Sequence, residues 1–358
     1  MLKLAVDIRM IGSGGIGSYI SEIVPHLLKK ADCLLIGTHE QAMPFVRMEN
    51  VEFCFCDVKP FALKELTSFP REVLSKINAY DAYYTPYCNI PNGITVPVFS
   101  TIHDVVFLDV LGLTGTIGRM ARKAFYKRAV NLSKAIFTVS NFSRERITHH
   151  LLRSAHKKPL VLTYNGISHY LTEPFEEEKP KKQDEILFVG NIKKHKGLSI
   201  LLEAFESARE KGLSSKLVIV GNADNFRTGD EETAARLKAL QQKDESAVNF
   251  TGRISNEELK NYYARVKLLV QPSLYEGFGI PPLEAMTLGT PAIISDIPVF
   301  KEIYGSYPVT FFKAGDAGDL AEKLLTAKTD AVDIKDAKPA YSYKEAAEII
   351  LKTITATP

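Results

Sequence analysis

Cysteine is scarce in this sequence, which has four among 358 residues. All four lie in the first quarter of the chain: Cys33, Cys54, Cys56 and Cys88. They form no C-x-x-C pair and no matching pair of histidines accompanies them, which argues against a zinc site and against a disulfide framework. We therefore expect reduced and buried thiols.

Long apolar runs are also missing, because no stretch approaches the roughly 18 apolar residues of a transmembrane helix. The chain opens with MLKLAVDIRM, in which Asp7 stands where a secretory signal would still be apolar. Neither sign of charge is in excess, since 45 basic residues against 42 acidic ones give a formal charge of +3. These features predict a cytoplasmic protein with no nucleic-acid partner.

Short apolar runs rich in Val, Ile and Phe recur along the chain with helical patterns between them, which is typical of parallel strands linked by crossover helices. The length suggests two domains at about 100–200 residues each. Strands are predicted at 2–8, 33–37, 51–56, 81–85, 96–102, 135–139 and 160–164, and then at 185–191, 216–221, 248–252, 267–273, 291–295 and 308–312. The predicted fold class is α/β, with two doubly wound, Rossmann-like parallel sheets.

The charged segment 171–185 contains two prolines and no helical apolar stripe, which predicts an interdomain linker. We expect the two domains to face a central cleft formed by the carboxyl ends of their strands, where open parallel sheets bind ligands. Functional residues should then lie in loops at strand ends. The last segment, 341–354, has a helical pattern that suits packing on either domain.

A glycine-rich loop over 12–19, GSGGIGSY, satisfies G-x-G-x-x-G through Gly12, Gly14 and Gly17. With Glu40 as a ribose-binding acid, it keeps an NAD-dependent oxidoreductase open as an alternative. Three residues separate the strand end from Gly12, however, whereas the dinucleotide fingerprint starts directly at the strand. Glycines before a helix predicted over about 17–29 let backbone N–H groups approach a phosphate or a sugar.

The strongest signal is a pair of carboxylates, Glu276 and Glu284, separated by seven residues in EGFGIPPLE. Pro281 and Pro282 predict the first turn of a helix. Glu276 should then lie in the preceding loop, beside exposed N–H groups of 277–279, and Glu284 in the first turns. Loop donors, a helix N-terminus and two carboxylates together suit a polyhydroxylated or anionic ligand such as a nucleotide sugar.

This segment, EGFGIPPLEA, resembles the E-x7-E motif of retaining glycosyltransferase family 4, the group 1 glycosyltransferases with the GT-B fold. The resemblance extends to the family's phosphate-binding strand, loop and helix at 188–205, and to landmarks at 139–147 and 163–167. The segment 341–351 is similar to a terminal helix that returns to the first domain. The resemblance implies an acceptor-side domain of residues 1–168 plus 340–358 and a donor-binding domain of residues 169–339.

The resemblance also implies roles for side chains, with Glu276 on the donor sugar, Glu284 on the ribose and Lys196 on the diphosphate. Asn191 stands where many members have arginine, which leaves a second phosphate cation to Lys193, Lys194 or His195. Donor contacts are further expected from Gly14, Gly15, Asn191, Arg253, Gly277, Phe278, Gly279 and Ile280. Of these, Arg253 follows the strand 248–252, where it suits a phosphate or a base.

His103 ends the strand 96–102, where an imidazole can bond a sugar hydroxyl. Family members with a similar His-Asp pair use this histidine near the transferred sugar, so we expect His103, Glu276 and Lys196 to be the catalytic residues. A leaving diphosphate needs its charge stabilised, and the sequence shows no metal-ligand cluster. We therefore expect a metal-independent site with no cofactor besides the donor.

The segment from Val110 to Arg144 has seven basic residues and no acidic one. Within it, apolar residues recur at helical spacing and predict a packed face, with the charges on the other face: Ile117, Met120, Ala121, Ala124 and Phe125. A basic amphipathic helix over 119–134 suits an anionic membrane surface, and a solvated face is the alternative.

The resemblance thus implies a retaining hexosyltransferase that moves a sugar from a nucleoside-diphosphate sugar to an acceptor hydroxyl. We expect it to act in bacterial surface polysaccharide or glycan assembly, on a glycan or lipid-linked acceptor, in the cytoplasm or at the inner membrane face. The alternatives are the oxidoreductase and a non-catalytic sugar-binding protein of the same fold.

Overall fold

The computed structural model describes residues 1–152, 158–221 and 231–357, apart from the side chain of Glu231. The chain divides into two compact units. The first comprises residues 1–109, 115–166 and 341–358, and the second comprises 110–114 and 167–340. Each unit is built on one parallel sheet.

The first unit has seven strands, β1 Lys3–Asp7, β2 Asp32–Gly37, β3 Val51–Phe55, β4 Ala82–Thr85, β5 Val98–Thr101, β6 Ser133–Thr138 and β7 Leu160–Leu162. They are ordered β3-β2-β1-β4-β5-β6-β7, and all neighbours are parallel. Leu4 and Val6 pack into one buried cluster and Ala5 into another, because successive side chains of a strand point to opposite faces. Both faces of the sheet are therefore covered, and its strands are short apolar runs.

The second unit has six strands, β8 Gln183–Val189, β9 Lys216–Val220, β10 Val248–Gly252, β11 Val266–Gln271, β12 Ala292–Ser295 and β13 Val309–Phe312. They are ordered β10-β9-β8-β11-β12-β13 and are again parallel. All thirteen predicted strands are present, with ends within two residues of those predicted. The predicted α/β class with two parallel sheets is confirmed.

Fourteen α-helices are described, α1 Gly14–Leu28, α2 His39–Ala42, α3 Leu63–Thr67, α4 Arg71–Ile77, α5 Val106–Asp109, α6 Thr116–Leu132, α7 Asn141–Leu151, α8 Leu198–Glu210, α9 Glu231–Lys243, α10 Asn256–Arg265, α11 Pro281–Thr287, α12 Pro298–Tyr304, α13 Ala317–Leu325 and α14 Tyr343–Ala356. Two 3-10 turns lie at His169–Leu171 and Lys194–Lys196. None of the described helices is long and apolar enough to span a membrane.

The final helix, α14, packs into the core of the first unit through Tyr343, Ala346 and Ile350. Gly166 permits this arrangement, since a Cβ at that position would lie 2.2 Å from the backbone nitrogen of Tyr343. The chain therefore leaves the first unit after Gly166 and re-enters it near Tyr343, and the backbones of these two residues are in close contact.

The four cysteines are free and buried, as predicted. Burial raises the pKa of the Cys33 thiol to about 12, and it raises those of the other three. These thiols are therefore protonated at neutral pH and act as small apolar side chains.

The predicted linker 171–185 is shorter in the structure, because Leu171 ends a 3-10 turn and β8 begins at Gln183. Part of the remainder is fixed by the fully buried amine of Lys260, from α10. This amine donates to the carbonyls of Glu173 and Pro174 at 3.0 and 2.8 Å and lies 4.5 Å from the ring of Phe175. A charged composition does not reveal such a contact, since the partner is distant in sequence.

Helix α6 exposes most of the face that was predicted to pack, and of its five residues Phe125 meets the Phe61 ring edge to face at 5.0 Å between centroids. Ile117 and Met120 are 85% and 67% exposed, and Ala121 and Ala124 are exposed as well. The buried positions of α6 are instead Tyr126, Ala129 and Val130.

Three arginines of α6 face their own unit. Arg119 donates to the carbonyl of Leu108 at 2.7 Å, and Arg128 donates to that of Ile90 at 3.2 Å. The guanidinium of Arg122 lies 3.6 Å from the centre of the Phe107 ring. Periodicity assigns arginine side chains to the solvent-facing side of a helix. That assignment is wrong here because these long side chains cover apolar surface and bind carbonyls of their own unit.

Candidate functional site

Lys196 and Glu276 form an ion pair in the second unit. The amine donates to both oxygens of the carboxylate, at 2.8 and 2.7 Å. The hydroxyl of Ser273 donates to the same carboxylate at 2.7 Å. Glu276 is 8% exposed and the Lys196 side chain 23%, so the pair is sheltered from most of the solvent.

Sheet topology and one glycine bring these two residues together. Lys196 follows β8 and Glu276 follows β11, and the two strands are neighbours whose carboxyl ends lie at the same edge. Gly197 has φ +69°, and a Cβ there would lie 2.0 Å from the carbonyl oxygen of Pro272. Glycine therefore lets the turn that carries Lys196 lie directly against the end of β11. The carbonyl of His195 completes the contact by accepting from the Leu274 nitrogen at 2.8 Å.

Glu284 occupies the fourth position of α11 and is 8% exposed. Its two oxygens accept hydrogen bonds from different elements, from the Ser168 hydroxyl at 2.9 Å and from the Tyr263 hydroxyl at 2.8 Å. Pro281 and Pro282 begin α11 as predicted, and Gly289, at φ +87°, follows its end. The structure thus places both carboxylates of the motif as expected, in the loop before the helix and in its first turns.

The loop between the carboxylates differs from the prediction of exposed N–H groups. Gly277, Phe278 and Gly279 are buried, and Ile280 is partly exposed. Gly279 has φ +83°, and a Cβ there would lie 2.3 Å from the Phe300 ring. The prediction is wrong because the loop packs closely against α12.

The turn after β8 holds the candidates for a second phosphate cation. Asn191 and Lys193 are partly exposed and Lys194 is exposed. His195 is 8% exposed, and burial together with the adjacent Lys196 lowers its pKa to about 4. It is therefore neutral near pH 7, and the hypothesis of a cationic His195 is not supported by its surroundings. Its Nδ1 atom has no hydrogen-bond partner among the described residues.

Arg253 is exposed at the end of β10. Since β9 lies between β10 and β8, the backbone of Arg253 is two strand spacings, about 10 Å, from that of β8. The structure places Arg253 at the same sheet edge as Lys196 without bringing the two into contact.

His103 lies after β5 in the first unit and is partly exposed. Its Nε2 atom lies 2.9 Å from the Pro86 carbonyl, which requires that this nitrogen carries the proton. Burial lowers the pKa of His103 to about 4, so near pH 7 the ring is neutral and Nδ1 is an acceptor. The Asp104 carboxylate accepts from the Val106 nitrogen at 3.0 Å, which holds the loop after His103.

Tyr19 connects His103 to the glycine-rich segment. It lies in the second turn of α1, and its ring meets the imidazole edge to face at 4.6 Å between centroids. Because α1 begins at Gly14 rather than near residue 17, Gly15 lies in the first turn of the helix and not in a preceding loop. Gly12 and Gly14 have φ of +85° and +60°, which explains the early start, since only glycine makes this turn readily.

Gly15 and Gly17 differ in what surrounds them. A Cβ on Gly17 would lie 2.7 Å from the Gly12 nitrogen, so packing requires glycine there. A Cβ on Gly15 would meet nothing within 4 Å. The fold alone therefore gives no reason for glycine at position 15.

A buried ionic cluster supports the start of this segment. Arg9 is 5% exposed and binds the carboxylates of Asp7 and Glu65, each at 2.6 Å. Gln41 donates to the carbonyls of Arg9 and Ile11 at 2.8 and 3.2 Å. The residues that separate β1 from Gly12 are thus fixed by buried polar contacts.

The two histidines with lowered pKa make stability depend on pH. Between pH 6.5 and 4 the unfolded chain binds more protons than the folded one at His103 and His195, so the free energy of unfolding falls as pH falls through this window. We expect His103→Gln/His195→Gln to lose less stability than the wild type between pH 7.5 and 5.0, by roughly 1–2 kcal/mol per histidine. Urea unfolding at both pH values measures this, with the exposed His149→Gln as the control. Equal losses in wild type and double variant would show that neither histidine has a lowered pKa.

Several residues that contact the candidate side chains, three in the second unit and Tyr19 in the first, have no counterpart in the sequence predictions. Ser273 precedes Glu276 by three residues, and its polarity at a strand end was a usable signal. Tyr263, Ser168 and Tyr19 act through contacts that no local pattern shows. Within the described ranges, no group of three His, Cys, Asp or Glu side chains is arranged for a metal ion.

A family model matches most of the second unit and the first residues of α14. Residues 171–347 match the model of the glycosyl transferases group 1. O-antigen chain mannosyltransferase RfbU of Salmonella typhimurium is 31% identical over 177 residues, which are 49% of this chain and 46% of that protein. O-antigen chain mannosyltransferase B of Escherichia coli is 27% identical over 62% of this chain and 59% of its own length. The matched part thus spans about half the length of these relatives.

Solved structures resemble the chain over its whole length. Anabaena Alr3699/HepE, determined with UDP and glucose, has a TM-score of 0.75 at 16% identity, covering 99% of this chain and 100% of its own. Sucrose-phosphate synthase from Thermosynechococcus elongatus has a TM-score of 0.63 at 18% identity, covering 100% and 95%. At these identities the likeness concerns the fold, and it confirms the predicted GT-B fold.

Proposed function

We propose that this chain, whose residues 171–347 match the model of the group 1 glycosyltransferases, transfers a sugar from a nucleoside-diphosphate donor to an acceptor hydroxyl. The observation that supports this most directly is the pairing of Lys196 with Glu276 at the ends of β8 and β11, with Glu284 on the helix that follows. An amine suits a leaving diphosphate, and the carboxylates suit the hydroxyls of the sugar and the ribose.

In the proposed mechanism the acceptor oxygen attacks the anomeric carbon on the face from which the diphosphate leaves, which gives retention. The bond from the anomeric carbon to the phosphate oxygen breaks with its electron pair on that oxygen, which then helps to take the acceptor proton. Lys196 offsets the charge that develops on the diphosphate, together with backbone N–H groups and without a metal ion. Retention and this route follow from the family resemblance.

Donor binding changes the partners of the ion pair. In the structure the amine of Lys196 donates to Glu276. We propose that the diphosphate attracts this amine, and that the oxygens of Glu276 then accept hydroxyl groups of the donor sugar. Glu276 can bind the sugar hydroxyls fully only after Lys196 has moved to the diphosphate. Its contact with the sugar therefore stabilises the transition state more than it stabilises initial donor binding. Nδ1 of His103 is proposed to accept a hydroxyl of the transferred sugar.

The relatives indicate which donors to test first. Two are named as O-antigen mannosyltransferases, and the structure of Alr3699/HepE contains UDP and glucose. We propose a hexose donor and an acceptor that is a growing surface glycan, free or linked to a lipid, with the protein acting in the cytoplasm.

The direct experiment is a thermal-shift screen with UDP-, GDP-, ADP- and dTDP-sugars, followed by a transfer assay. A ligand at 100 times its Kd stabilises the folded state by about 2.7 kcal/mol, which is readily detected. No shift with any donor would contradict the proposal. A change of NADH fluorescence on mixing would favour the oxidoreductase, and donor binding without transfer or hydrolysis would indicate a non-catalytic sugar-binding protein.

Gly15 tests the proposal that backbone N–H groups of α1 approach the diphosphate. We expect Gly15→Ala to raise the free energy of unfolding by about 0.5–1 kcal/mol, because alanine favours the helix and the new methyl group meets open space. We expect kcat/KM to fall about tenfold or more, since the methyl group keeps the ligand from the backbone. Gly115→Ala, also in open space but at the start of α6, is the control for activity. A stabilised variant with full activity would remove Gly15 from the donor site.

The exposed side chains of α6 change which residues we propose for the membrane contact. We define the α6 outer face as Ile117, Met120, Lys123 and Lys127, all of which are exposed. Arg119 and Arg122 are engaged within the unit, so electrostatic attraction is left chiefly to the two lysines. Each lysine near an anionic surface contributes about 1 kcal/mol, and each buried apolar side chain about 1.5–3 kcal/mol. We propose that this face binds anionic lipid reversibly.

Liposome cosedimentation over a salt series tests this face. We expect Ile117→Gln/Met120→Gln to weaken binding to anionic vesicles at least tenfold at all salt concentrations, because apolar insertion is not screened. We expect Lys123→Gln/Lys127→Gln to weaken it mainly at low salt. Met43→Gln/Leu63→Gln is the matched control, since those residues are 68% and 75% exposed elsewhere in the first unit. No binding by the wild type at low salt would indicate a solvated face.

A further inference from the structure

The carboxylate of Glu284 is held by two buried hydroxyl groups. Ser168 donates to Oε1 at 2.9 Å, and Tyr263 donates to Oε2 at 2.8 Å. Ser168 is 4% exposed and Tyr263 is fully buried. Since each oxygen has its own donor, the plane of the carboxylate is fixed by two directional contacts.

The two donors are themselves fixed from outside the site. Tyr263 lies on α10, which begins with a capping box in which the Ser255 hydroxyl accepts from the Glu258 nitrogen at 3.2 Å. Near the other end of this helix, the Thr290 hydroxyl donates to the Tyr263 carbonyl at 2.6 Å. Ser168 immediately precedes the 3-10 turn 169–171. A few residues later, the Lys260 amine donates to the Glu173 carbonyl and holds this segment. These contacts do not involve Glu284, so the backbone that carries both hydroxyls is held independently of it.

The direction of the Tyr263 hydrogen bond is also fixed. Burial, with the neighbouring Glu284 carboxylate adding to the effect, raises the pKa of Tyr263 well above its ordinary value. The phenol therefore keeps its proton and donates it to the carboxylate. A carboxylate accepts about four hydrogen bonds, so buried hydroxyl donors can orient it while it also binds other groups.

We propose that Tyr263 and Ser168 are positioning residues that orient Glu284 toward the ribose diol, and that they set the preference of the enzyme for ribonucleotide over 2′-deoxyribonucleotide donors. This inference rests on the proposed function, which places Glu284 on the ribose. A diol needs both carboxylate oxygens at set positions, whereas a single hydroxyl tolerates a rotated carboxylate. Loss of either buried donor should therefore reduce binding of the ribonucleotide more than that of its 2′-deoxy analogue.

The experiment measures Kd by calorimetry for UDP, GDP and ADP and for their 2′-deoxy counterparts. The proteins are the wild type, Tyr263→Phe, Ser168→Ala and Ser168→Thr. We expect the wild type to prefer the ribonucleotide it binds about tenfold or more, and Tyr263→Phe and Ser168→Ala each to reduce this ratio about three- to tenfold. Ser168→Thr, which retains the hydroxyl, should restore most of the ratio.

Two matched controls separate positioning from packing. Tyr307→Phe removes a buried tyrosine hydroxyl that donates to the Pro339 carbonyl at 2.7 Å. Ser215→Ala removes a buried serine hydroxyl that donates to Asp184 at 2.8 Å. We expect both controls to keep the ratio of the wild type, whatever their effect on thermal stability.

The outcomes distinguish this inference from the proposed function. An unchanged ratio in folded Tyr263→Phe and Ser168→Ala would overturn the inference alone and give these residues a structural role. If Tyr263→Phe does not fold, the comparison of Ser168→Ala with Ser168→Thr decides. If the wild type binds ribo- and deoxyribonucleotides alike, the ribose role of Glu284 fails together with the inference. If it binds no nucleoside diphosphate, the proposed function fails as well.

Discussion

Replacing Glu276 by alanine is expected to lower kcat about 10²- to 10³-fold while changing the KM for the donor less than about tenfold. The reason is the exchange of partners proposed for this carboxylate. In the structure its oxygens are bound by Lys196 and Ser273, so its interaction with sugar hydroxyls becomes strong only as the diphosphate draws Lys196 away. Steady-state kinetics with the donor found in the thermal-shift screen measures the effect.

A second carboxylate of the same unit provides the control for Glu276. The Glu185 side chain is 12% exposed and pairs with Arg265 at 2.9 Å. It lies in the first half of β8, away from the carboxyl end of the strand. Glu185→Ala should therefore affect stability in the same way and leave kcat unchanged. An unchanged kcat in Glu276→Ala, or equal losses in both variants, would contradict the proposed role of Glu276.

The strands of both sheets could be predicted because parallel strands are buried on both faces and appear as continuous apolar runs. For example, IFT at 136–138 lies in β6 with all three side chains buried. The ends of helices were harder to predict. Gly14 and Gly15 have low helix propensity, yet α1 includes them because the positive φ of Gly12 and Gly14 allows the chain to turn early.

The faces of α6 show where periodicity fails. Ile117 and Met120 form an apolar stripe, and Tyr126, Ala129 and Val130 form another on the same helix. Which stripe packs is decided by tertiary partners, here the Leu108 carbonyl for Arg119 and the Phe107 ring for Arg122. The sequence contains both stripes and gives no means of choosing between them.

Individual residues of the candidate site could be predicted from the sequence, but the contacts between them could not. Glu276 and Glu284 belong to one short motif, and the prolines between them locate the helix. Lys196 is 80 residues from Glu276, and the two meet because the strand order places β8 beside β11. Ser168 is 116 residues from Glu284, with no local pattern that links them. Contacts of this kind depend on topology, which local sequence does not determine.

Replacing Lys196 by alanine is expected to lower kcat/KM about 100-fold or more, since a leaving diphosphate then lacks the amine at the end of β8. We also expect the free energy of unfolding to fall by about 1–3 kcal/mol, because the sheltered carboxylate of Glu276 keeps the Ser273 hydroxyl and loses its cation. The matched control is Lys267→Ala. That lysine is 27% exposed and pairs with Asp184 at 2.5 Å, away from the strand ends that carry the site.

A double-mutant cycle separates the stabilising role of the pair from its role in the reaction. In Lys196→Ala/Glu276→Gln no buried charge is left without a partner, so we expect most of the lost stability to return, with a coupling of about 0.5–3 kcal/mol. Activity should not return, because neither the amine nor the carboxylate is present to contact the donor. Chemical unfolding and donor kinetics of the four proteins complete the cycle. If the double variant regained both stability and turnover, the ion pair would be structural and the donor diphosphate would have to be bound elsewhere.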